Sequence, residues 1–64
     1  MLSVSFYMNG KYFDSRTIPA EHVPRINECV QIVKLGDQKG IVETVRWVFG
    51  ENSTWVDIHL RRSK

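Results

Sequence analysis

Three side chains of this 64-residue chain belong to types that bind metals or form a nucleophile–base pair: His22, Cys29 and His59. A structural zinc site needs four ligands in tetrahedral array, usually from closely spaced Cys and His pairs. Here the three are dispersed, with no C-x-x-C or H-x-x-x-H spacing. Cys29 with either histidine and one acid is formally a triad inventory. Any chain of this length offers such combinations by chance, and a domain this small has little room for a deep, water-excluded pocket. The expectation is a protein that is not an enzyme, with no catalytic residues, no metal and no cofactor.

Two other groups of residues suit binding. Arg46, Trp55, His59, Arg61 and Arg62 combine cations with aromatic rings. Stacking bases on a ring while arginines track phosphates is how small barrels hold single strands of nucleic acid. The plainer account is that Trp55 covers one end of the domain and the arginines solvate it, and Glu43 and Asp57 weaken the positive field. Tyr7, Tyr12 and Phe13 form the second group, around an Asn9-Gly10 turn. Aromatics are enriched in the hot spots of protein interfaces. The plainer account here is cross-strand packing, but a small core has difficulty burying all seven aromatics of the chain.

These residues must be held by a scaffold of limited means. The chain makes one domain, residues 1–64, and a domain of this length buries only about 60% of its unfolded surface. A lone cysteine excludes an internal disulfide and suits a reducing compartment. The N-terminus lacks the basic start and cleavage site of a signal peptide, and no apolar run approaches the roughly 20 residues of a membrane helix. A cytoplasmic setting without membrane contact is therefore expected. The net charge of +2 permits nucleic-acid binding without arguing for it. Homodimerisation through exposed strand edges would add core to a marginal chain.

The hydrophobic pattern is that of strands. Leu2, Val4, Phe6 and Met8 alternate with polar residues, which is a half-buried strand. Asn9-Gly10 fits a type I′ hairpin turn, and residues 11–16 return. Pro19 and Pro24 exclude a long helix from 17–27, leaving one helical turn at Ala20-Glu21-His22 and a Val23-Pro24 lid. Cys29 to Leu35 reads as a third strand, with its alternation broken near Val33, and 36–40 as a turn. Ile41 to Phe49 is a fourth, placing the set Ile41, Glu43, Val45, Trp47 and Phe49 inward, to hold strands three and five. Glu43 interrupts its apolar set, and a bulge at Glu43-Thr44 would bring Val42 in beside Val45. The fifth places Val56, Ile58 and Leu60 inward and Trp55, Asp57, His59 and Arg61 outward.

From Val23 onward the chain resembles a known pattern. Val23-Pro24-Arg25-Ile26-Asn27-Glu28-Cys29-Val30-Gln31-Ile32 is similar to the "VP..GE.V.I" stretch that leads into a strand of SH3-like barrels. Gly40 to Phe49 resembles that group's "G.V..V.W.F" strand, and Val56 to Leu60 its closing "V.I.L" strand. Asn27 stands where the pattern has glycine, although Asn also tolerates the left-handed conformation. The resemblance runs over residues 23–60 and implies an all-β fold, a small five-stranded SH3-like barrel formed by antiparallel hairpins. Small proteins of this kind are common in phage and prophage genomes. The resemblance rests on core positions and bears on fold more than function. The surplus of aromatics with only mild charge points to an interaction module for another protein, such as a phage-encoded modulator of a host or phage complex, with nucleic-acid binding as the alternative. The family brings no catalytic residues.

Overall fold

The computed structural model describes residues 1–32 and 38–62. Among these residues lie five strands: β1 (Leu2–Met8), β2 (Lys11–Ile18), β3 (Cys29–Ile32), β4 (Gln38–Phe49) and β5 (Thr54–Arg62). The strand continuation through Val33 to Leu35, the Gly36-Asp37 part of the next turn and Lys64 lie outside the described residues. Gln38, Lys39 and Gly40, expected in that turn, instead begin β4, where they pair with Ile32, Gln31 and Val30.

Asn9 and Gly10 both take positive φ, 55° and 78°, so the type I′ turn closes β1 against β2 as expected. After β2, Ala20–His22 forms a single 3₁₀ turn. Pro19 has extended backbone before it and Val23 extended backbone after it. Arg25 to Glu28 is a β-turn in which the Glu28 N–H donates to the Arg25 carbonyl at 3.1 Å. Asn27, its third residue, has φ 75°. A left-handed third residue is what glycine or asparagine permits most cheaply, so Asn27 serves where the SH3-like pattern has glycine.

The strand order is β2-β1-β5-β4-β3. Here the structure corrects the expectation of a closed barrel made of antiparallel hairpins. The β1–β2, β3–β4 and β4–β5 pairs are antiparallel, but β1 pairs parallel with β5, Ser3 beside Trp55 through Met8 beside Leu60. The result is an open, mixed, curled sheet with β2 and β3 at its edges. The physical reason lies in the connection from β2 to β3. It joins opposite edges of the sheet, so it crosses one side of it, and Val23 packs on the core from there. This strap covers apolar surface that a second layer of strands would otherwise have to bury.

The core occupies that inner side. Val4 and Phe6 of β1, Val42 of β4, and Val56, Ile58 and Leu60 of β5 are buried. Leu2, Met8, Ile18, Val23, Val30 and Val45 pack around them. Each fully buried aliphatic side chain stabilises the fold by about 1.5–3 kcal/mol.

The register of β4 against β5 shifts between Val42 and Thr44, leaving Glu43 as the extra residue. This is the bulge expected from the break in the apolar pattern. It turns Gly40 and Val42 inward before the break and Val45 and Trp47 inward after it. Ile41, opposite Arg61 and Cys29, consequently falls on the outer side. A second shift, between Phe6 and Tyr7, makes Phe13 the extra residue of β2. On that edge strand Asp14 is buried toward the core face and accepts a hydrogen bond from Arg16 Nε at 3.0 Å. A bulge and an inward-facing charged pair are both devices that keep a sheet edge from pairing with another chain.

Candidate functional site

The outer side of the sheet gathers most of the residues singled out from the sequence. Strand alternation places Tyr12, Tyr7, His59 and Thr44 in one row across β2, β1, β5 and β4. The next row is Ser15, Ser5, Asp57 and Arg46, and the one after it Thr17, Ser3, Trp55 and Val48. Tyr7 and His59, expected in two different sites, are thus immediate neighbours. Their rings stack at 4.8 Å with an interplanar angle of 13°. Tyr12 meets Tyr7 edge-on at 5.9 Å. Both separations fall in the favourable range for aromatic pairs. Tyr12 remains 58% exposed, while Tyr7 and His59 are half-buried. The Phe13 side chain lies outside the described part of the structure.

The remaining candidates divide. Arg46 donates through Nη2 to Asp57 Oδ2 at 2.8 Å across the β4–β5 pair. Asp57 faces outward, as its alternation requires, yet it is buried and not solvated. It lies beside Ser5 on the neighbouring β1, and Arg46 closes over it. The Arg46 charge is therefore compensated. Trp55 sits at the far end of this face with about a third of its surface exposed, and Arg61 is exposed beyond His59. Arg62 pairs with Gly40 and falls on the opposite side of the sheet from Arg61.

Trp47 and Phe49 require the clearest correction. The alternation of the strand places both in the core. Both point to the inner side, but Trp47 is 43% and Phe49 76% exposed. The cause is the shortness of β3. It pairs only with Gln38–Ile41 of β4, and among the described residues no strand flanks β4 on that side from Thr44 to Phe49. The two rings lie nearly parallel, 6.4 Å apart. Trp47 and Val45 floor a groove of about 480 Å³, walled by the strap residues Ala20, Glu21, Val23, Pro24, Arg25 and the exposed Ile26. Nothing in the local pattern of β4 reveals this surface, because the alternation reports side and not cover.

Among the described residues no three of His, Cys, Asp and Glu come together, and Cys29 is an exposed thiol on β3. No helix among them is long and apolar enough to cross a membrane. No family model matches the chain, and no curated protein and no solved structure matches it either.

Proposed function

We propose that the chain is a non-enzymatic interaction module, a small β domain of SH3-like kind, that binds another protein through the Tyr12–Tyr7–His59 row on its outer side. The observation that carries this reading is the row itself. Tyr7 is fixed between two rings, and the exposed Tyr12 is presented from it as a rigid, amphipathic anchor. Rigid aromatic side chains lose little conformational entropy on binding and dominate interface energetics. Nucleic-acid binding through Arg46, Trp55, His59, Arg61 and Arg62 has less behind it. The stacked Tyr7 and His59 already use one ring face each on one another, Asp57 neutralises Arg46, and Arg62 faces away.

The test is capture from a lysate on the immobilised chain, followed by titration of the captured protein against wild type and Tyr12→Ala. Loss of roughly tenfold or more in affinity for Tyr12→Ala, the scale of an interface hot spot, supports the reading. Capture of no protein, or equal affinity of the variant, overturns it. Retention of nucleic acid with a steep salt dependence would instead favour the second reading.

A further inference from the structure

The inner side ends in a surface that the proposed function does not use. Ile26 (57% exposed) and Trp47 line the groove between the strap and β4, and the exposed Phe49 stacks on Trp47. The whole chain exposes 4677 Å², against about 4250 Å² expected of an ordinary folded monomer of its 7.5 kDa mass. Its Cα radius of gyration is 11.4 Å, where about 10.7 Å is usual for this length. Both values lie slightly above those usual for a monomer of this size.

Two features of the groove say what fits it. Its volume of about 480 Å³ holds an aromatic side chain with room to spare, and its lining mixes the apolar Val23, Pro24, Ile26, Val45 and Trp47 with charged side chains. Its rim carries one acid, Glu21, and one base, Arg25, both exposed. A rim with one charge of each sign is complementary to itself across a two-fold axis, where every contact is made twice with the roles exchanged. Phe49, stacked on Trp47, is the most exposed ring in the described structure and is placed to be given as well as received.

We propose that this surface binds a second copy of the chain. Phe49 of each protomer enters the groove of the other beside Trp47, and Glu21 of each faces the partner's Arg25. The contact involves far fewer residues than the roughly 20–30 a side of a standard interface, so the dimer is weak and concentration-dependent. The outer face stays free in it, and the dimer stands or falls independently of the proposed function.

Sedimentation equilibrium from about 10 μM to about 1 mM, the range of weak association, tests this. The expected result is a monomer–dimer equilibrium for wild type and a tenfold or greater weakening for Phe49→Asp, with an unchanged circular dichroism spectrum because Phe49 is exposed. Glu21→Arg and Arg25→Glu each weaken the dimer, and the double exchange restores it. A wild type that stays monomeric throughout, or a Phe49→Asp variant that associates as wild type does, overturns the proposal. Should Phe49→Asp disturb the fold, the charge-exchange series decides alone: failure of the double variant to recover association overturns it.

Discussion

Strands β4 and β5 are neighbours of similar apolar content, yet they are buried to different degrees. On the inner side of β5, Val56 and Ile58 are fully buried and Leu60 nearly so. On the inner side of β4, Val42 is fully buried, Val45 half-buried, Trp47 43% exposed and Phe49 76% exposed. The difference lies in what flanks each strand. β5 runs between β1 and β4, whereas β4 has β3 beside it only at its start. Hydrophobic character assigns a side chain to a side of the sheet, and the neighbouring strands decide whether that side is covered there. The strand richest in large apolar residues thereby leaves two of its rings, Trp47 and Phe49, exposed.

Three substitutions break or sharpen this contrast. Ile58→Ala, at the fully covered centre, is expected to cost about 2–5 kcal/mol. A domain this small has only about 3–5 kcal/mol to lose, so urea titration should find it largely unfolded in buffer. Gly40→Ala probes a point on the inner side of β4 that has no room for a side chain. The added Cβ would sit 2.8 Å from the Leu60 Cβ and 3.1 Å from the Met8 Cε. Overpacking of that kind costs about 1–3 kcal/mol, read as a lower denaturation midpoint with an unchanged slope. Phe49→Ser, at the uncovered end, should change monomer stability by no more than about 0.5 kcal/mol, measured at low micromolar concentration. A large effect there would mean that the end of β4 is covered within the monomer after all.

Much of the scaffold was legible because it is encoded locally. The alternation of Leu2 to Met8, the Asn9-Gly10 turn and the inward set Val56, Ile58 and Leu60 each depend on residues adjacent in the chain. Even the Glu43 bulge could be read, since a polar residue interrupting an apolar set marks where the face must change. The parallel β1–β5 pair could not be read, because its register is carried by two distant segments that show no mutual signal. The Tyr7–His59 stack and the covering of Asp57 went unseen for the same reason, both being products of that register. For Trp47 and Phe49 the side was legible and the cover was not, since cover depends on where β3 ends.

The same β1–β5 pair governs how the chain must fold. The β1–β2 and β4–β5 hairpins join sequence neighbours and can close within about 1–10 μs. The contact between them sets Ser3 beside Trp55, across most of the described chain. Closing so long a loop is an entropic cost that must be met before the inner side chains of both hairpins gain anything from meeting. Docking of the two hairpins is therefore expected to be the slow step, and substitutions along the β1–β5 seam are expected to slow folding.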